Sequence, residues 1–204
     1  MPLSLSLRCY RAKSWAAATR LEWVQSLGTG VDNLIDQPAL RQDVIVTNMR
    51  GIHGAPVSEA ALAGMLALAR ELRRAILAQD ERQWRRFPAQ LLHDKTVGIF
   101  GVGQIAEILA PKCKAFGMRV VGARKLAGFD RMHRREELAR VIGDFDFLIL
   151  LTSLTTATRN SIDAKIFAAM KPTSYLINLA RGGVVDEGAL IEALAKGPHC
   201  WGGA

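Results

Sequence analysis

The stretch TVGIFGVGQIA (96–106) decides the fold of this chain. Its apolar first half is typical of a buried parallel strand, and its second half opens a helix predicted over 103–116. Gly101 permits the tight turn between strand and helix, Gly103 lets the backbone approach an anion, and Ala106 lets helix and strand pack closely. The free N–H groups at the helix start would then hold the pyrophosphate of a dinucleotide.

The chain after this stretch repeats the alternation of strand and helix. The further strands are MRVVGA (118–123), FLILLT (147–152) and YLINLA (175–180), and the further helices are predicted at 133–142, 164–170 and 186–196. Asp163 and Asp186 are typical N-cap residues for the last two helices. Near-continuous apolar strands between helices predict an α/β fold with a doubly wound parallel sheet of the Rossmann type.

The chain before this stretch begins with short apolar segments that are separated by glycine turns. Two short strands are predicted, LEWVQSL (21–27) and VIVTNM (44–49), each followed by a glycine turn. A single long helix is then predicted from Pro56 to about Trp84, with one apolar face formed by Ala61, Met65, Leu68, Leu72 and Ile76. We therefore expect a smaller domain over 1–75 and the dinucleotide-binding domain over 76–204.

Composition excludes several classes of protein. The 204 residues are 50% apolar and carry a net charge of +8, with no low-complexity tract. The three cysteines are scattered, which argues against a disulfide scaffold and a metal site. No apolar run could span a bilayer and no signal peptide is evident, so a cytoplasmic location is expected. The arginines near Trp84 alternate with acidic residues, so we expect neither a nucleic-acid nor a membrane partner.

The cofactor is indicated by the end of the strand MRVVGA. NAD sites place an acidic residue there to hold the ribose 2′-hydroxyl group, whereas this chain has Arg124 and Lys125. Two cations and no carboxylate favour the 2′-phosphate of NADP over NAD.

The segment NLARGGVVDE (178–187) places Arg181 at the carboxyl end of a parallel strand, where its planar fork suits a carboxylate. With this segment the sequence resembles the D-isomer-specific 2-hydroxyacid dehydrogenase family, which includes glyoxylate/hydroxypyruvate reductases and phosphoglycerate dehydrogenases. The resemblance extends from about Leu21 to Lys196. Its other motifs are SLGTGVDN (26–33), TNMRGIHGAPVSEAALAGMLALAR (47–70), GVGQIA (101–106) and LTSLTTATRN (151–160).

The resemblance implies a reaction and a set of roles. The reaction is hydride transfer between NAD(P)H and a small 2-keto or 2-hydroxy acid, in a homodimer whose second domain is flavodoxin-like. Arg181 would be the catalytic arginine that holds the substrate carboxylate. The other implied residues are Gly28, Thr29, Gly30 and Val31 for substrate, Gln104 and Ile105 for pyrophosphate, Arg124 for ribose selection, and Thr152 and Leu179 in the cofactor cleft.

The sequence also departs from the family pattern. Ser153 stands where proline is frequent, and nothing before Leu21 matches well, so both domains are expected to be incomplete. The family's catalytic glutamate and histidine have no counterpart after Arg181, unless His199 substitutes for the histidine. Read one nucleotide out of frame, the tail from Pro198 can encode Arg-Ile-Ala-Gly-Ala-Ala, which is typical of the family's next strand.

These departures lead to the hypothesis that a frameshift replaced the C-terminus after about Gly197. We therefore expect a truncated chain that is weakly stable and nearly inactive. The alternative interpretation is a dinucleotide-binding or regulatory module without catalysis, because fold alone does not separate the two. Retention of Arg181 and of the substrate loop favours the dehydrogenase.

Overall fold

The computed structural model describes residues 3–7, 12–122, 129–133 and 137–196. It divides into two compact units, Met1–His53 and Gly54–Ala204. The predicted ribose selector Arg124, the adjacent Lys125, and the tail from Gly197 onward with His199 lie outside the described residues.

The first unit is a small parallel α/β unit. Its elements are β1 (Leu3–Leu7), α1 (Ala12–Ala17), β2 (Leu21–Ser26), α2 (Asp32–Ile35) and β3 (Ile45–Thr47). The strands pair in the order β1-β2-β3, and both pairs are parallel. A strand, β1, precedes Leu21 where the family resemblance is weak, and its backbone pairs with that of β2.

The second unit is a doubly wound parallel sheet. Its strands are β4 (Thr96–Phe100), β5 (Arg119–Gly122), β6 (Arg131–Met132), β7 (Phe147–Leu150) and β8 (Tyr175–Asn178). Its helices are α3 (Gly54–Ala69), α4 (Leu72–Asp80), α5 (Gln104–Ala115), α6 (Leu138–Val141), α7 (Ala164–Ala169) and α8 (Glu187–Ala195). The strand order β6-β5-β4-β7-β8 reverses direction at β4, as in Rossmann sheets, and confirms the predicted fold class.

Two apolar layers cover the second sheet, one on each face. On one face α3 and α5 contribute Met65, Leu109 and Cys113 to a fully buried cluster. On the other face α7 contributes Ile166 and Phe167 to a second cluster. The strands of this sheet are therefore apolar on both sides, which explains why their sequences lack alternation. Within the described residues, no helix is long and apolar enough to cross a membrane.

The boundary between the units lies earlier in the chain than the predicted one between residues 75 and 76. The reason is the packing of α3, whose buried Ala61 and Met65 belong to the same core as α5 and β8. The fit is close, because a methyl group added at Gly54 would lie 2.2 Å from Cδ1 of Ile108. In addition, Lys112 Nζ donates to the buried Ser58 Oγ at 2.8 Å.

The prediction of one long helix from Pro56 to Trp84 is wrong. The helix is interrupted at Glu71, whose φ of +49° is left-handed, and a separate helix, α4, begins at Leu72. Leu72 and Ile76, which the 3.6-residue period placed on the buried face, are consequently about half exposed. Local propensity does not reveal this break, since the residues around Glu71 are good helix formers.

Of the helix predicted at 133–142, residues 134–136 lie outside the described part of the chain. Its regular part, α6, begins at Leu138 and passes into a 3-10 turn over Ile142–Asp144. His133 does not lie in this helix; its amide donates to the carbonyl of Gly122 at 2.9 Å, next to β6. The N-caps were predicted correctly: Asp163 accepts from the amides of Lys165 and Ile166, and Asp186 accepts from the amide of Ala189.

Asp130 fastens the segment that leads into β6, and this predicts a pH-dependent contribution to stability. Burial acts to raise the pKa of Asp130, but its ion pair with Lys114 and the amide of Val120, which donates at 2.7 Å, lower it overall. The stabilisation is therefore complete above the pKa of an unfolded aspartate and is lost as pH falls through the lowered folded value.

Asp130→Asn should reduce the free energy of unfolding by about 1 kcal/mol at pH 7, because one partner of a partly exposed charged hydrogen bond is lost. The difference from the unchanged protein should shrink as the pH falls below about 3.5 in urea titrations. Asp144→Asn is the matched control, since the hydrogen bond described for Asp144 uses its backbone carbonyl. Equal losses at acid and neutral pH would contradict the prediction.

Candidate active site

The glycine turn after β4 is fixed by contact with the segment that follows β7. Gly101 has a φ of +104°, which side chains rarely tolerate. A Cβ atom at Gly101 would lie 2.3 Å from the amide nitrogen of Thr152 and 2.6 Å from the carbonyl carbon of Leu151. The structure therefore brings together two predicted cofactor residues, Gly101 and Thr152, and leaves no room for a side chain between them.

The start of α5 is open. Gly103 is the N-cap in an extended conformation, and no side chain caps the helix. A Cβ atom at Gly103 would have no neighbour within 4 Å. The amides of Gln104 and Ile105 begin the helix at this open point, where partial positive charge collects. This open helix start, which consists of Gly103 and the amides of Gln104 and Ile105, is called the anion cradle below. The cradle fits the pyrophosphate of a dinucleotide, since backbone N–H groups and free space are what that group requires.

The loop after β7 is held by threonine hydroxyl groups. The buried Thr158 donates from Oγ1 to the carbonyl of Ser153 at 2.7 Å and accepts from the amide of Thr155 at 2.7 Å. Ser161 Oγ donates in turn to the carbonyl of Thr158 at 2.6 Å. These bonds give the segment around Thr152 a defined shape without regular secondary structure.

Arg181 stands in the turn after β8. The last sheet hydrogen bond runs from the amide of Leu179 to the carbonyl of Leu150 at 3.1 Å. Arg181 itself is exposed, and its Nη1 donates to the carbonyl of Ala180 at 3.0 Å. The glycine turn, Thr152, Leu179 and Arg181 therefore follow three neighbouring strands, β4, β7 and β8, at their common carboxyl edge, where ligands bind in sheets of this kind.

The loop after β7 and the turn after β8 are joined to each other. The amide of Asn160 donates to the carbonyl of Gly183 at 2.9 Å, and that of Ile162 donates to Val184 at 3.1 Å. Asn160 adopts a φ of +50°, a conformation that asparagine tolerates better than most residues. The predicted cofactor segment and the predicted catalytic arginine are thus built on one hydrogen-bonded frame.

The predicted substrate residues Gly28, Thr29, Gly30 and Val31 lie in the first unit, directly after β2. Ser26 Oγ accepts from the amide of Gly28 at 3.3 Å and donates to the carbonyl of Gly30 at 3.2 Å. Asn48 Nδ2 donates to the carbonyl of Thr29 at 2.6 Å. The loop is thus tied to the segment after β3, and its role toward substrate stays a prediction.

Cys113 offers no nucleophile to this edge. Burial in α5 raises the pKa of its thiol to about 12, so the group is neutral at pH 7. Thiolate is the reactive form of cysteine, so covalent chemistry at this residue is not expected.

Two residues that organise the edge escaped the sequence analysis. Asn178 and Thr158 make side-chain bonds to backbone groups in the segments that carry Arg181 and Thr152. The available signal was the residue type, since asparagine and threonine frequently fasten turns where a strand ends.

Comparison with known proteins decides the family. The protein-family model for the NAD-binding domain of D-isomer specific 2-hydroxyacid dehydrogenases matches residues 62–200. The chain belongs to this family. The predicted family resemblance is therefore confirmed, and the open start of α5 lies in the family's NAD-binding domain.

Solved structures of the family share the fold. A D-isomer specific 2-hydroxyacid dehydrogenase family protein from Aeromonas salmonicida is 34% identical with a TM-score of 0.86, and the match covers 98% of this chain and 65% of that one. An NADPH-dependent glyoxylate/hydroxypyruvate reductase from Sinorhizobium meliloti, solved with NADP and sulfate, is 27% identical with a TM-score of 0.81 and coverages of 96% and 64%.

Among curated proteins, D-3-phosphoglycerate dehydrogenase of Methanocaldococcus jannaschii is 32% identical over 187 residues. The match covers 88% of this chain but 36% of that enzyme. The chain thus spans about a third of this relative and just under two thirds of the solved proteins above.

The two glycines predict different results when each is changed to alanine. Gly101→Ala should lower both stability and dinucleotide affinity, because the new Cβ atom collides with the backbone at Thr152. Gly103→Ala should leave the melting temperature within about 2 °C, since its Cβ atom enters open space, but should weaken NADPH binding by about tenfold or more by occupying the cradle. Thermal unfolding and NADPH fluorescence titration measure the two effects. Unchanged NADPH affinity in Gly103→Ala would place the nucleotide elsewhere.

Proposed function

We propose that this chain provides the nucleotide-binding part, and the carboxylate-binding arginine, of an oxidoreductase that transfers a hydride between NAD(P)H and a small 2-keto or 2-hydroxy acid. One observation carries the proposal: the uncapped start of α5 and the turn bearing Arg181 share the carboxyl edge of one sheet. An anion cradle alone would suit any dinucleotide-binding module, whereas an exposed arginine on a braced turn beside it adds a site for an acidic substrate.

Each residue of the edge has a task in this reaction. The amides of Gln104 and Ile105 bind the pyrophosphate, and Thr152 and Leu179 line the cleft beside it. The guanidinium of Arg181 binds the substrate carboxylate through two parallel hydrogen bonds and polarises the adjacent keto oxygen. When bound, the nicotinamide supplies the hydride, and the protein supplies orientation and charge.

The preferred cofactor is NADP. The support comes from Arg124 and Lys125 after β5, where the 2′-phosphate would be recognised and no carboxylate stands in their place. The Sinorhizobium meliloti reductase, which shares this fold, was solved with NADP.

The substrate is a small acid of the glyoxylate or hydroxypyruvate type. Gly28, Thr29, Gly30 and Val31 would offer backbone groups to it, as the family resemblance implies. The acid that protonates the developing alkoxide is not assigned among the residues that the structure describes. Ligand binding is therefore a sharper test of the site than turnover.

A homodimer in the cytoplasm is the proposed state of the whole protein. The homodimer is supported by α4 and the segment after it, which expose four large apolar side chains: Leu72, Ile76, Leu77 and Trp84. Trp84 is 94% exposed, and large apolar side chains that are exposed in one subunit are the kind that a subunit contact would bury.

Arg181→Gln tests the role of the arginine. The variant should bind NADPH within about twofold of the unchanged chain, because the pyrophosphate cradle is intact. Its affinity for oxamate, a 2-keto acid analogue, should fall by about tenfold or more at saturating NADPH, because a charged bidentate contact is lost. Isothermal titration measures both affinities, and the exposed Arg140→Gln on α6 is the matched control.

The same titrations separate the competing interpretations. Binding of NADPH without any binding of oxamate by the unchanged chain would support the dinucleotide-binding module without catalysis.

The cofactor preference needs a separate titration. NADPH should bind about tenfold or more tightly than NADH, because a phosphate beside Arg124 and Lys125 gains charge-assisted hydrogen bonds. The preference should weaken when the salt concentration rises, since such contacts are partly screened. Equal affinities at low salt would refute the assignment of Arg124 to the 2′-phosphate, and tighter binding of NADH would favour NAD.

A further inference from the structure

Asn178 occupies the point where the chain leaves the sheet. It is the last residue of β8 and is in register with Leu150, the last residue of β7. The amide of Leu179 makes the final ladder hydrogen bond, to the carbonyl of Leu150. Beyond this bond the backbone needs other partners to hold a defined path toward Arg181.

The side chain of Asn178 supplies those partners. Its Oδ1 accepts from the amide of Ala180 at 2.9 Å, and its Nδ2 donates to the carbonyl of Arg181 at 3.1 Å. The same carbonyl also accepts from the amide of Val184 at 3.1 Å. The backbone of Arg181 is therefore held from two sides, by one side chain before it and by the 3-10 turn after it.

These two hydrogen bonds of the Asn178 side chain hold the backbone of Arg181, the residue whose side-chain direction decides how a carboxylate would bind. Arginine has a long, rotamer-rich side chain, and ordering such a chain costs conformational entropy. A guanidinium that must bind a carboxylate through two of its nitrogens depends on a fixed Cα–Cβ direction, since small misplacements are costly in such sites. Within the described residues, the side-chain hydrogen bonds of Asn178 join Ala180 and Arg181, and none runs to the start of α5, where the dinucleotide is expected to bind.

We propose that Asn178 is a positioning residue for Arg181: its carboxamide holds the backbone of the turn so that the guanidinium is presented to the substrate carboxylate. This inference rests on the proposed function of Arg181. It assigns to Asn178 a selective effect on the acid substrate, as distinct from general support of the sheet edge.

The chemistry of the amide explains why close analogues should fail. Asn178→Asp preserves size and the acceptor for Ala180, but it removes the donor to the carbonyl of Arg181 and sets a negative charge beside that oxygen. Asn178→Ser is shorter by one bond and replaces two polar atoms with one oxygen, so it does not extend to the carbonyl of Arg181 as Nδ2 does. Both changes are small enough to keep the apolar strand β8 intact.

The test compares two ligands in the same variants. Oxamate affinity is measured by isothermal titration at saturating NADPH, and NADPH affinity is measured alone by nicotinamide fluorescence. Ser174→Ala is the matched control, because the buried Ser174, at the other end of the same strand segment, donates from Oγ to the carbonyl of Lys171 at 2.7 Å. Thermal unfolding of all variants shows whether their losses of stability are alike.

The expected result is selective. Asn178→Asp and Asn178→Ser should weaken oxamate binding by about tenfold, keep NADPH affinity within about twofold, and lose no more stability than Ser174→Ala. Unchanged oxamate affinity would overturn the role of Asn178, as would a parallel fall in NADPH affinity or an equal loss in Ser174→Ala. Failure of the unchanged chain itself to bind oxamate would instead refute the proposed function, and with it this inference.

Discussion

The close approach of Gly101 to the backbone at Leu151 and Thr152 is the constraint on which the functional edge depends. Strands β4 and β7 run side by side to their last residues, and the amide of Leu151 still donates to the carbonyl of Phe100 at 2.7 Å. The two chains must diverge immediately afterwards, one into α5 and the other into the threonine-rich loop. A residue without a side chain and with positive φ makes that divergence possible, and it sets the distance between the anion cradle and Thr152.

A series of backbone hydrogen bonds connects this contact to the other segments at the carboxyl edge of the sheet. The loop that begins at Thr152 reaches Asn160, which binds Gly183, and the bridge from Ile162 to Val185 continues the pairing. Arg181 lies between the end of β8 and this bridge, so its turn is anchored at both ends. The predicted cofactor segment and the proposed substrate residue on one frame can be arranged accurately without a regular element between them, and the proposed hydride transfer requires accurate arrangement.

The sequence was sufficient where local signals and packing agree. The strands β4, β7 and β8 and the caps Asp163 and Asp186 followed from apolar runs and residue type. It was insufficient at Glu71, because a left-handed residue inside a helix-forming segment reflects tertiary packing and leaves no local trace. The fold and the glycine turn could thus be predicted, whereas the supports at Asn178 and Thr158 required coordinates, because a hydrogen bond depends on distances that residue type does not determine.

In both units, a polar side chain bonds to the backbone of the loop or turn that follows a strand. Ser26 closes the loop after β2, Thr158 closes the loop after β7, and Asn178 closes the turn after β8, each with a side chain that both donates and accepts. A strand that leaves its sheet loses its ladder partners, and unpaired backbone groups in partly buried positions cost about 1–3 kcal/mol each. A small polar side chain restores the pairing without adding bulk. The backbone therefore stays accessible beside the bond that holds it, which is the property that a ligand-binding edge made largely of main-chain groups must have.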